Sequence, residues 1–239
     1  MENAITLRNV TKKFYNKEAP SLNNISLDIH TGQVVGIFGK VGAGKSTLLK
    51  ILASLIPSYQ GDVYIFNKPL SKDTRRFISY LGEDYVFFKS NSVKSIVNFY
   101  ADFYKDFNQI IMTSLLSKFN ISPESLYQDL SSKNKKILML CLTLSRETKI
   151  YLLDEPLKGE DLPIDVREFI FSTIFETCSK DSLIIITSSL VEDIEDSCDS
   201  VIFLDKGKLL LVAQANTLIK EHDKSISLYF KEVIKNVFF

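Results

Sequence analysis

Short apolar runs bounded by turn residues recur along the chain, at 5–10, 25–29, 34–38, 63–66, 78–81, 150–153, 183–187 and 201–204. QVVGIFG shows their character: apolar nearly throughout, with no polar alternation. Such runs, separated by helical stretches, predict strands of a largely parallel sheet covered on both faces. Between Ser92 and Arg146 the periodicity changes. Ile96, Phe99, Tyr100, Phe103, Tyr104 and Phe107 fall on one face of a helix, and the segment offers no strand. That face reads as the apolar core of a helical unit. The chain is therefore expected to be an α/β core interrupted by an all-helical insert of roughly 60 residues. LSSKNKK stands just before the apolar run ILMLCLTL, and reads as a polar loop and N-cap opening a helix.

Composition narrows the class. With 239 residues and 45% hydrophobic content, the chain suits one large or two small domains with a proper core. Lys plus Arg and Asp plus Glu are both 29, so the formal charge is zero. A neutral chain without a basic stripe gives no electrostatic reason to expect nucleic acid or an anionic membrane surface as partner. Cys141, Cys178 and Cys198 are scattered and odd in number, as expected of buried thiols in a reducing compartment rather than a disulfide framework or metal site. MENAITLRNV has no basic region followed by an apolar stretch, so no signal peptide is expected. The longest apolar runs, such as 137–144, fall far short of the roughly 20 residues that span a bilayer. A soluble cytosolic chain is the expectation.

Candidate chemistry begins where QVVGIF leads into GKVGAGKST and then a helical stretch. Gly39, Gly44, Lys45 and Ser46 match G-x-x-x-x-G-K-[ST] in the strand-then-helix context that the motif demands. Glycines let the backbone turn tightly, so the N–H groups of Gly39, Lys40, Val41, Gly42, Ala43 and Gly44 face an anion together with the helix N-terminus. Lys45 would reach the β- and γ-phosphates, Ser46 would ligate Mg²⁺, and Thr47 would touch the inner phosphates. The complete context outweighs the reading as a merely flexible turn. In IYLLDEP, four apolar residues predict a buried strand with Asp154 and Glu155 at its C-terminal end, where α/β sheets place their ligands. Asp154 is the expected Mg²⁺ partner through water, and Glu155 is placed to polarise the water attacking the γ-phosphate. A polyphosphate chain and Mg²⁺ are the ligands expected from these motifs, with Lys45 and Glu155 as the catalytic groups.

TKKFY, GKVGAGKST, a helical insert, LSSKNKK, IYLLDEP, GED and CDSVIFLDKGKLL, in that order, resemble the ATP-binding subunits of ABC transporters over nearly the whole chain. SRETKIYLLDEPLKGED, VREFI and the terminal SISLYFKEVI look most like bacterial ABC-2-type ATPases. The resemblance implies an α/β P-loop NTPase (RecA-like) core with a small antiparallel β part and an all-helical subdomain. One ATP-binding domain would span 1–239, with the core at about 1–83 and 147–213, the helical subdomain at about 84–146 and a helical tail at about 214–239. It also implies head-to-tail homo- or heterodimers, with ATP between one subunit's phosphate loop and the other's signature loop. Multi-spanning permease subunits would be the partners, and the chain would sit peripherally on the inner face of the cell membrane. Phe14 or Tyr15 matches the aromatic that stacks on adenine; a strand-end core residue is the alternative for either. Asp161 in GED matches the loop that reaches the opposite subunit. Tyr85, Phe87 and Phe88, near the aromatic face of the insert, would then line a groove gripping a helix of the membrane partner.

Three positions depart from the family pattern. Glu83 stands where a Mg²⁺-sensing glutamine is usual; it can still accept from a metal-bound water, but adds negative charge beside the γ-phosphate. Ser189 stands where a switch histidine is usual. The only histidines, His30 and His222, both read as surface residues. The signature, LSGGQ or SKGM in relatives, keeps Leu130 and Ser131, while Ser132, Lys133 and Asn134 replace its glycine-containing part. A side chain at Lys133 obstructs close approach of backbone N–H groups, and its charge is a mobile point rather than a preorganised cradle. Ser131 can still cap and donate, so the loop reads as a degenerate signature or as a plain helix cap. All three departures lie in elements that read the γ-phosphate or couple it outward. The expectation is a transporter ATPase with weak or asymmetric hydrolysis and export as its direction. The alternative is an ATP-dependent dimerising regulator without a transport role.

Overall fold

A computed structural model describes residues 2–15, 18–82, 87–157 and 162–236. Its strands are β1 (Asn3–Lys12), β2 (Leu22–His30), β3 (Gln33–Phe38), β4 (Gln60–Ile65) and β5 (Lys68–Pro69) in the first part. Then come β6 (Ile78–Leu81), β7 (Ile150–Asp154), β8 (Leu183–Ser188), β9 (Ser200–Asp205) and β10 (Lys208–Gln214). The helices are α1 (Lys45–Leu52), α2 (Val93–Phe103), α3 (Gln109–Lys118), α4 (Ser132–Leu144), α5 (Ile164–Thr177), α6 (Ala215–His222) and α7 (Ile226–Asn236).

Among the described residues two sheets form: an antiparallel one ordered β2-β1-β4-β5, and a six-stranded one ordered β10-β9-β3-β8-β7-β6. In the larger sheet β9, β3, β8, β7 and β6 run parallel, and β10 pairs antiparallel on the edge. Residues of the central strands alternate between two cores, as the period of a strand requires. Ile37, Leu152, Ile185 and Ile202 pack with α1 and the antiparallel sheet. Phe38, Tyr151, Leu153, Ile184, Ile186 and Phe203 pack with helices on the other side. Double coverage explains why these strands read as continuous apolar runs.

Between β6 and β7 the described residues form α2, α3, α4 and turns, with no named strand. The aromatic face of α2 corrects one expectation. Val93 and Ile96 are buried, whereas Phe99 and Phe103 are 61% and 67% exposed. The apolar stripe is wider than the surface that covers it, so its flank faces outward and the two phenylalanine rings stack on each other at 6.0 Å. Arg146 joins this helical part to the sheet. Its guanidinium holds Asp106 through two bonds of 2.8 and 3.1 Å, donates to the Ile78 carbonyl at 2.8 Å, and lies 4.1 Å from the Tyr104 ring centre.

After β10 the chain returns to the sheet: α7 sends Phe230 against Phe203 and Phe38, with ring centres 5.0 and 6.5 Å apart. The three cysteines are free and buried. Loss of solvation pushes the thiols of Cys178 and Cys198 up to about 12 and raises Cys141 as well. The histidines also differ from a shared surface reading. His222 is exposed and stacks on Tyr229 at 4.1 Å, but His30 is half-buried, with Nδ1 shielded and lacking a hydrogen-bond partner.

Candidate nucleotide site

The phosphate loop lies between the end of β3 and the start of α1. It passes so close to its neighbours that a Cβ at Gly39 would lie 2.4 Å from the Leu204 carbonyl oxygen. Gly44 has φ 110°, and a Cβ there would lie 2.4 Å from the Ser21 carbonyl oxygen. Neither place admits a larger residue, which is the physical reason for glycine at both. Gly44 also caps α1 without a side chain to engage the first N–H groups of the helix. From the far side, the N–H of Gly207 donates to the Ala43 carbonyl at 2.9 Å, bracing the loop on the β9–β10 turn. Lys40, Val41 and Gly42 form the exposed tip, Ala43 is buried, and Thr47 is half-buried on α1.

Lys45 points back into the loop. Its Nζ donates to the Gly39 carbonyl at 2.7 Å and to the Lys40 carbonyl at 3.4 Å. It also pairs with Glu155 Oε1 at 2.9 Å, the two side chains being only 4% and 6% exposed. Ser46 Oγ donates to Asp154 Oδ1 at 3.0 Å, and Asp154 is 1% exposed at the C-terminal end of β7. Thr187, its partner on β8, donates to the same oxygen at 2.8 Å. Tyr80 OH approaches Asp154 Oδ2 at 3.5 Å. Glu155 adopts φ 43°, a left-handed conformation that costs a non-glycine residue about 1 kcal/mol, and its N–H donates to Thr187 Oγ1 at 2.9 Å.

This donor set suits the cofactors expected. Tight glycine turns and an uncapped helix start offer N–H groups to an anion, and Lys45 supplies a desolvated cation. Ser46 and Asp154 bring together the oxygen ligands that a hard divalent ion takes. The structure therefore gathers Lys45 with Glu155 and Ser46 with Asp154 into two adjacent pairs, the acids being linked through Thr187.

Other expected site residues stand apart from it. Ser131 is exposed and caps α4, accepting from the Asn134 N–H at 3.1 Å, and Lys133 is half-buried. Ser189 is exposed just past β8. Phe14 is half-buried with the Lys12 ammonium 4.9 Å from its ring centre, and Tyr15 is fully exposed. Glu83, Tyr85 and Asp161 lie outside the described residues. Sequence reasoning missed Thr187 and Tyr80. The available signal was a hydroxyl closing the aliphatic run LIIIT, which gains meaning only once β8 is placed beside β7.

Tyr80 also lines a groove of about 1210 Å³ between the sheet and the helical part, together with Arg76, Phe77, Phe103, Tyr104 and Lys149. No helix among the described residues is long and apolar enough to cross a membrane.

A parallel sheet with a glycine-rich phosphate loop, a buried lysine and paired acids at the end of β7, one strand removed from β3, defines a P-loop nucleoside triphosphatase. More narrowly, the chain belongs to the ABC transporter family, whose model matches residues 22–158. It is an ATP-binding subunit and an ATPase of that family. It is 28% identical over 222 residues to the ABC transporter ATP-binding protein YtrB of Bacillus subtilis, covering 92% of this chain and 75% of that protein. An uncharacterized ABC transporter ATP-binding protein of Methanocaldococcus jannaschii is 32% identical over 213 residues, covering 87% of this chain and 76% of the relative. The solved structure of the ATP-binding subunit of an ABC transporter superimposes with a TM-score of 0.83 at 20% identity, covering 97% of this chain and 99% of that one. That likeness speaks for the fold. Subunits of this family bind ATP, dimerise and work with membrane permeases.

Proposed function

We propose that this chain binds ATP–Mg²⁺ at the Lys45–Ser46–Asp154–Glu155 group and hydrolyses it to drive export through separate multi-spanning permease subunits. The observation that carries this is the pairing of Lys45 with Glu155 at 2.9 Å and of Ser46 with Asp154 at 3.0 Å, side by side at the C-terminal edge of the parallel strands. Lys45 and the loop N–H groups hold the β- and γ-phosphates, and Thr47 the inner ones. Ser46 and Asp154 hold the metal, which supplies charge neutralisation when bound. Glu155 accepts the proton of the attacking water. Tyr15 is the better of the two candidates for stacking on adenine, because its ring is free of the core. Glu83 and Asp161 are assigned to metal sensing and to the opposite subunit by sequence alone.

The core at about 1–83 and 147–213 carries the nucleotide, and the helical subdomain at about 84–146 presents Ser131 to a second subunit in a head-to-tail dimer. With Lys133 in place of glycine and Ser189 in place of histidine, closure on the γ-phosphate is weak, and hydrolysis is slow or confined to one site of a heterodimer. The exposed Phe88, Phe99 and Phe103 and the groove beside Tyr80 meet the permease on the cytoplasmic side of the membrane. ATPase turnover of the purified chain tests this, alone and with a second ATP-binding subunit that has an intact signature. Slow turnover alone, raised by the second subunit and abolished by Glu155→Gln, is expected. Fast turnover alone would remove the weak-closure reading, and turnover indifferent to Glu155→Gln would remove the site.

A further inference from the structure

We propose that Thr187 is a positioning residue for ATP hydrolysis, setting the orientation of both acids at once. This role depends on Asp154 being the metal-facing acid and Glu155 the water-facing one. Thr187 is fully buried and follows three isoleucines in β8, the strand between the phosphate-loop strand β3 and the acid-bearing β7. A valine would suit such a run by shape and burial, so the hydroxyl is the feature to explain. Its one hydrogen goes to Asp154 Oδ1 at 2.8 Å, and its oxygen accepts the Glu155 N–H at 2.9 Å. One side chain thus touches the carboxylate of the first acid and the main chain of the second.

Both contacts act on soft degrees of freedom. The terminal torsion of an aspartate is broad and roughly two-fold, so Asp154 needs a fixed donor to hold one oxygen toward Ser46. Ser46 donates to that same oxygen at 3.0 Å. When Ser46 turns its lone pairs to a cation, Thr187 keeps Asp154 in place independently of it. At Glu155 the left-handed φ of 43° is an unfavourable conformation that needs outside support. The bond from its N–H to Thr187 supplies part of that support, and the Lys45–Glu155 ion pair depends on the same bend.

The test is Thr187→Val against Thr187→Ser in the full chain. Affinity for ATP is measured by calorimetry with Mg²⁺ and with EDTA, followed by kcat and KM, and thermal unfolding shows that each variant is folded. Thr187→Val should lose about tenfold of the Mg²⁺-dependent gain in affinity and about tenfold or more in kcat, the scale of one buried bond to a charged group. Affinity in EDTA, set by the phosphate loop, should stay within about twofold. Thr187→Ser should restore both quantities to within about threefold. If Thr187→Val does not fold, Thr187→Cys, a weak donor of similar size, should show the same losses in smaller degree. A folded Thr187→Val or Thr187→Cys with wild-type Mg²⁺ dependence and kcat would overturn the role. Retained Mg²⁺ dependence in Thr187→Val beside its loss in Asp154→Asn overturns Thr187 alone. No Mg²⁺ dependence in the wild type removes the metal assignment of Asp154, and the role of Thr187 with it.

Discussion

The buried Lys45–Glu155 pair sets an energetic problem in the nucleotide-free chain that can be measured. At 2.9 Å and an effective dielectric of about 20, two unit charges attract by about 6 kcal/mol, most of which is offset by the desolvation of both groups. Removing one member is therefore costlier than the net worth of the pair. Lys45→Ala deprives Glu155 of its cation at 6% exposure and should destabilise the chain by about 3–5 kcal/mol. At about 2–4 °C per kcal/mol for a domain of this size, the midpoint of unfolding should fall by about 6–20 °C. Glu155→Gln leaves Lys45 its bonds to the Gly39 and Lys40 carbonyls and should cost less, about 1–3 kcal/mol. The double variant no longer buries either charge, so its loss should fall short of the sum by about 2 kcal/mol. Urea unfolding of the four proteins without nucleotide closes the cycle. A coupling below about 0.5 kcal/mol would show that the two side chains do not meet in the free protein, and the geometry argued for the site would be wrong.

Arg146→Lys keeps a cation but loses the fork that holds Asp106, and should cost about 2 kcal/mol by urea unfolding; no change would refute the clamp between β6 and the helical part. Phe230→Ala should cost about 3–4 kcal/mol, because the ring fills the space against Phe38 and Phe203; a neutral result would mean that α7 does not dock there. Ser131→Ala should cost about 1 kcal/mol as a lost helix cap while leaving ATP affinity of the isolated chain unchanged; unaltered stability would refute the cap. Cys178 and Cys198 should resist a water-soluble thiol reagent at pH 8 until the chain unfolds, since burial raises both from 9.0 to about 12. Folding disfavours their thiolates, so their support for the native state is complete below pH 9 and falls as pH rises toward 12. Rapid labelling of folded protein at pH 8 would contradict their burial.

Much of the sheet was legible because a strand covered on both faces has only one kind of residue to use. LIIIT and IYLLD could hardly be read otherwise, and the glycines of the phosphate loop announced their own geometry. β10 escaped the pattern because it is an edge strand with half-exposed positions, and two-residue β5 has no pattern at all. The outward turn of Phe99 and Phe103 was hidden for another reason: a period shows which residues share a face, but the neighbours decide how much of that face is covered. Lys45, Ser46, Asp154 and Glu155 were readable one motif at a time. The joining of Asp154 to Glu155 through Thr187 was not, since it depends on the register of β7 against β8, 33 residues apart at that contact.

Long-range pairing around β3 bears on how the protein is made. The phosphate-loop strand is flanked by β8 and β9, and its Val34 N–H is bonded to Asp199, 165 residues further along the chain. At a synthesis rate of about 5–20 residues per second, roughly 10–30 seconds separate the emergence of the two. For most of that interval GKVGAGKST exists without the strands that hold it, and until Asp154 and Glu155 are made it lacks both acids. A nascent chain has no reason to capture ATP from a cell rich in it. Nucleotide binding becomes a property of finished molecules, and a prematurely terminated chain lacking β8 and β9 would not have the walls of the site.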